Sequence, residues 1–130
     1  MNAPPSTSDW GIADAGASAE ATTVTKQTTE TLLAGERIIE ALDLADGERS
    51  IFQQYEEDMS RDEAIKLQPP PRNPVLAAYD LEPEAWVLRV VEKVPSTALQ
   101  DTLLMLPFGK VVSLMRYLNI WAQKVGSDRY

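Results

Sequence analysis

Apolar positions recur at helical spacing along most of this chain, and prolines punctuate them. From Thr28, "TTETLLAGERIIEALDLADGERSIFQQYEEDMSRDEAIKL" places Leu32, Ile39 and Leu42 on one side, with Ile38 and Ala45 beside them. Such three- and four-residue steps mark one face of an amphipathic helix. Thr28 or Thr29 offers an N-cap, and Glu30 complements the positive end of the helix dipole. Ile51, Phe52, Tyr55 and Met59 continue the spacing. Gly47 leaves two arrangements open. The stretch is either two helices or one long helix, since an internal Gly costs only about 1 kcal/mol.

"QPPPRNP" (68–74) ends this region, because consecutive prolines remove amide donors and enforce extended backbone. It reads as a stiff connector, and "VLAAYD" after it as a short apolar stretch packing down on the helices. In "LEPEAWVLRVVEKV", Pro83 suits a first helical turn. Trp86, Val87, Val90, Val91 and Val94 form its stripe, and Pro95 stops it. "STALQDTLLMLP" restarts, with Thr97 and Gln100 at capping-box offset and Leu99, Leu103 and Leu106 on one face.

Pro107 sits inside the apolar run "LLMLPFGKVVSLMRYL" (103–118). It disfavours helical geometry at Leu106 and suits the start of another helix, so the run divides into two helices meeting at an angle. On the second, Phe108, Val111, Val112, Leu114, Met115, Leu118, Trp121, Ala122 and Val125 cover about half the circumference, wider than one core needs. Lys110, Ser113, Arg116, Gln123 and Lys124 occupy the other half, where Tyr117 and Ile120 also fall. Two coverings are open: helices of this chain, or a partner. The candidate partner interface is Phe108, Met115, Tyr117, Leu118, Ile120 and Trp121.

The pattern predicts an all-α fold, a small bundle of about four to five helices with a disordered N-terminal arm. The arm is residues 1–27, rich in Ala, Ser, Thr, Pro and Gly, with Trp10 and Ile12 its notable large apolar residues. Trp10 is either an anchor on a partner or simply disordered. A long helix or helix pair (28–67), the Pro-rich connector (68–82) and a three-helix core (83–130) follow.

Charge and composition then narrow the function. Twelve Lys and Arg stand against 20 Asp and Glu in 130 residues, a formal net charge of −8. Such a surface repels phosphate backbones, which argues against direct nucleic-acid binding but not against a place inside a nucleic-acid machine. Lys110, Arg116, Lys124 and Arg129 form a small basic edge, explained by the dipole of the last helix or by a weak RNA contact. The chain has no Cys and no His. Disulfides, thiolate metal sites and the commonest general base are therefore out of reach. No apolar run reaches membrane-spanning length, and the N-terminus has no signal-peptide pattern, so the default expectation is an intracellular chain. No nucleophile–base pair and no Gly-rich phosphate loop can be drawn. The acidic run "EEDMSRDE" (56–63) lacks EF-hand spacing. A metal or carboxylate chemistry at Glu56, Glu57, Asp58 and Asp62 is the weakest reading. No catalytic residue, cofactor or metal is expected.

Three segments carry a resemblance. "GERIIEALDL", "NPVLAAY" and "VLRVVEKVPSTALQDTLLMLPFGKVVSLMRYLNIWAQK" are similar to the C-terminal helical domain of the tandem WD-repeat subunits of the UTP-B complex, the Utp-twelve (Dip-two) type. The matching positions are Glu36–Leu42, Asn73–Ala77, Thr97–Phe108 and Val111–Trp121, within about residues 30–130. "LLxLPF" with "NPxL" upstream is the specific combination. Gly109 departs from the Ser more usual in the family after Phe.

The resemblance implies a non-enzymatic assembly domain of a U-three snoRNA-associated complex in the nucleolus, serving small-subunit ribosome biogenesis and pre-rRNA processing. It implies partners among sister UTP-B WD-repeat subunits, through their own C-terminal helical domains. Contact with pre-rRNA and U-three snoRNA would be indirect, through the assembly. In the family WD-repeat propellers precede this domain and further helices follow it, so the chain is expected to be a piece of a longer protein. The alternative expectation is a stand-alone homodimerising helical module unrelated to ribosomes.

Overall fold

The computed structural model describes the backbone of residues 5–62 and 66–128, and the side chains of residues 28–62 and 66–127. Five helices and no strand occur among the described residues: α1 (Pro5–Arg61), α2 (Pro74–Tyr79), α3 (Pro83–Glu92), α4 (Ser96–Met105) and α5 (Phe108–Asp128). The fold is all-α.

Of the two arrangements left open at Gly47, one continuous helix forms. Gly47 lies inside α1, and nothing stands within 4 Å of where its Cβ would be. From Pro5 to Gln27 the described backbone is helical, and the packing of the expected arm, residues 1–27, lies outside the described residues. Side chains of residues 1–27, Trp10 included, and of 128–130, Arg129 included, lie outside the described residues. Thr28 and Thr29 are therefore interior to the helix and do not cap it.

The buried stripe of α1 is Thr31, Ala34, Ile38, Ala41, Leu42, Ala45 and Glu48. It is rotated from the Leu32–Ile39–Leu42 line, since Leu32 is exposed. Ile38, Leu42 and Ala45 join Val87 of α3, Leu106, and Leu114 and Tyr117 of α5 in the core. Val90, Val91 and Val94 pack on it half-buried, as their spacing predicts.

The connector holds a helix. Asn73 caps α2 by accepting from the Val75 N–H at 2.9 Å, and Pro74 occupies its first position. Asp80 closes it in the left-handed region (φ 53°), where a short polar side chain tolerates the strain. Leu76 is fully buried. Glu48 of α1, itself buried, ties the connector down: it accepts from the Asn73 N–H at 2.9 Å and pairs with Arg72 at 3.4 Å. Arg72 also donates to the Leu81 carbonyl.

Pro83 sits at the start of α3 as expected. α4 begins at Ser96 after Pro95 with no side-chain cap, so the Thr97–Gln100 capping box does not form. The helix starts two residues earlier than the box requires. Its buried positions are Ala98 and Thr102, with Leu106 buried just beyond its end, and the Thr102 hydroxyl donates back to the Ala98 carbonyl at 2.7 Å. Small side chains there let α4 lie against α1. The Leu99–Leu103 line instead borders a groove.

Candidate docking face

Pro107 is the corner from which the site is built. Leu106 is extended (φ −68°, ψ 139°), which is the geometry favoured before proline. The Pro107 carbonyl then accepts from the N–H groups of Lys110 at 2.9 Å and Val111 at 3.1 Å, starting α5. Phe108 is the first helical residue, so Pro107 precedes the first turn of α5.

One side of α5 is satisfied within the chain. Lys110 pairs with Asp43 and Lys124 with Glu84. The Ser113 hydroxyl donates to Asp46 Oδ2 at 3.1 Å, and the Tyr117 hydroxyl donates to Asp46 Oδ1 at 2.6 Å. The Arg49 guanidinium stands 5.9 Å from the Tyr117 ring centroid. Tyr117 is 1% exposed. Its burial, then the hydrogen bond and charge of Asp46, push its phenol above the ordinary tyrosine range, with Arg49 and Arg116 opposing. Lys110, Ser113, Tyr117, Ile120 and Lys124 thus follow one helical stripe onto α1 and α3. Two members of the basic edge are neutralised by Asp43 and Glu84.

The other side is uncovered. Phe108 is 83% exposed, Met115 60% and Val112 42%, and Leu104 and Met105 at the end of α4 continue the surface. Between α4 and α5 lies a groove of about 730 Å³, bordered by Leu99, Leu103, Leu104, Leu106, Phe108 and Val111. Contiguous apolar surface of this kind marks an interaction site more often than an isolated exposed leucine does.

The candidate interface residues therefore separate. Phe108 and Met115 lie on the uncovered face. Trp121, at 37%, is exposed near its far end. Leu118 and Ile120 pack half-buried on the core. Tyr117 is buried in this chain, which corrects its placement at a partner surface: its hydroxyl has Asp46 as a partner 71 residues away. Leu104, Met105 and Val112 were missed, although Leu104 and Met105 stand beside the Pro107 break.

The acidic run of α1 is solvated. Gln54 donates to Asp58 at 3.0 Å and Arg61 pairs with Asp58 at 3.3 Å. Among the described residues no group of three or more carboxylates is placed to hold a metal ion, and no helix is long and apolar enough to cross a membrane.

No protein-family model matches the chain. Curated proteins do. "U3 small nucleolar RNA-associated protein 12" of Saccharomyces cerevisiae is 34% identical over 108 residues, which is 80% of this chain. "WD repeat-containing protein 3" of Homo sapiens is 36% identical over 104 residues, or 79% of the chain. The Dictyostelium discoideum homologue of the latter is 27% identical over 103 residues. The chain belongs to this family of WD-repeat proteins. It corresponds to only 12% of the yeast protein and 11% of the human one.

Proposed function

We infer that the chain is a non-enzymatic protein–protein assembly domain of a UTP-B-type U3 snoRNA-associated complex, acting in small-subunit ribosome biogenesis and pre-rRNA processing in the nucleolus. The observation that carries the assembly role is the division of α5: its polar side is satisfied in cis, whereas Phe108, Val112 and Met115 face solvent together. The ribosomal setting rests on the relatives, one of which is a U3 small nucleolar RNA-associated protein. The partners are sister WD-repeat subunits, met through their helical domains. RNA is reached indirectly, in keeping with the net charge of −8.

Co-purification tests the reading. Phe108→Asp and Met115→Asp place charge on the uncovered face without touching the core. Both variants should keep the wild-type circular dichroism and lose the sister subunits. Retention of those subunits by both variants overturns the docking face. Leu118→Asp is a poorer probe, because Leu118 packs on the core and its loss would unfold the chain. A stable homodimer of the isolated chain in light scattering, with no affinity for those subunits, would replace the reading with self-association.

A further inference from the structure

Ser60 lies outside the docking face, in the last turn of α1, and is exposed. Its hydroxyl donates to the Glu57 carbonyl at 2.9 Å, which leaves the oxygen's lone pairs open to an electrophile among the described residues. Glu56, Glu57 and Asp58 precede it and Asp62 follows. The exposed Ser50 and Ser96 have no comparable acidic flank, and Ser113 is engaged with Asp46.

The helix around Ser60 is held weakly. The core residues of α1 end at Ala45, and Glu48 is its last buried position. Beyond it Phe52, Tyr55, Asp58 and Met59 are no more than half-buried, and the polar contacts lie near solvent: Gln53 with Glu57, Gln54 with Asp58, Arg61 with Asp58, and the Tyr55 hydroxyl donating to the Leu67 carbonyl. Segments with few buried contacts open locally without global unfolding. The final turn can therefore present Ser60 in the extended form a kinase cleft binds.

We propose that Ser60 is a phosphorylation site for an acid-directed serine kinase, with ATP as the phosphoryl donor. Ser60 Oγ attacks the γ-phosphorus and forms the new O–P bond. The bond from that phosphorus to the β–γ bridging oxygen breaks, ADP leaves with the oxygen, and the hydroxyl proton passes to the kinase's catalytic carboxylate. The acidic flank is what a basic substrate groove reads. The product adds about −1.5 to −2 charges at the negative end of the helix dipole, among carboxylates. It loosens the last turn and competes with Asp58 for Arg61.

The test incubates the full chain with casein kinase 2 and ATP and maps the phosphate by tandem mass spectrometry. Ser60 should carry the label, and Ser60→Ala should remove it at that position. Replacing Glu57, Asp58 and Asp62 together by their amides should slow labelling of Ser60 by about tenfold or more with unchanged circular dichroism. Amide exchange should quicken in residues 57–61 of the phosphorylated chain and stay unchanged in residues 38–45. An unlabelled Ser60, or labelling of the amide variant at the wild-type rate, overturns the proposal.

Discussion

The two sides of α5 contrast in a direction that their composition does not suggest. The side with Lys110, Ser113, Tyr117 and Lys124 is the more polar, yet it lies against the bundle. The side with Phe108, Val112 and Met115 is apolar, yet it faces solvent. The difference teaches that burial follows partners as well as hydrophobicity. Asp46 of α1 supplies acceptors, so the Ser113 and Tyr117 hydroxyls turn inward paired, while Asp43 and Glu84 hold Lys110 and Lys124 nearer solvent. Tyr117 contributes a large ring to the core and a hydroxyl to Asp46. The apolar side receives no such complement and stays exposed.

Substitutions can break this contrast, beginning with the largest expected loss of stability. Tyr117→Ala removes a fully buried aromatic side chain and one of the hydroxyls that donate to Asp46; urea unfolding should show a loss of about 3–5 kcal/mol. Lys124→Ala leaves the carboxylate of Glu84, 8% exposed, without its ammonium. A loss of about 1–3 kcal/mol is expected, read in the same experiment.

Alkaline titration sharpens the buried side further. The Tyr117 pKa is raised above the ordinary 10.0 in the folded chain, so folding favours the neutral phenol. Its stabilisation is complete below pH 10.0 and declines as pH rises beyond it toward the folded value. Unfolding midpoints measured above that pH should fall in the wild type, and the fall should shrink in Tyr117→Phe. A fall of equal size in both proteins would detach the effect from Tyr117.

The smallest effect on stability belongs to the uncovered side. Phe108→Asp should change it by less than about 0.5 kcal/mol, because the ring contributes little to this fold. Its effect should be on partner capture instead. A large destabilisation by Phe108→Asp would mean that the ring is covered within the chain and would erase the contrast.

Much of the helical order was legible from proline and apolar spacing. Pro83, Pro95 and Pro107 mark the ends of α3, α4 and α5 to within a residue or two, because proline restricts the backbone locally whatever surrounds it. The signal for α2 was also present: Asn73-Pro74 pairs a capping side chain with a first-turn proline, and the run of prolines before it obscured the helix. The Thr97–Gln100 box misled because it is one of several ways to start a helix, and Pro95 sets an earlier start.

The candidate face was legible only in part. The width of the apolar half of α5 and the Pro107 corner pointed to Phe108 and Met115, while helical spacing could not tell whether Tyr117 and Ile120 were covered in cis. By itself the amino-acid sequence determined helix type, the proline-set corners and a surplus of apolar surface near residue 107, since these depend on neighbours within a few positions. The tertiary structure alone decided which side of α5 turned inward. That choice depends on Asp43 and Asp46 meeting Lys110, Ser113 and Tyr117 across 67 to 71 residues of chain, and only the packed bundle brings those groups together.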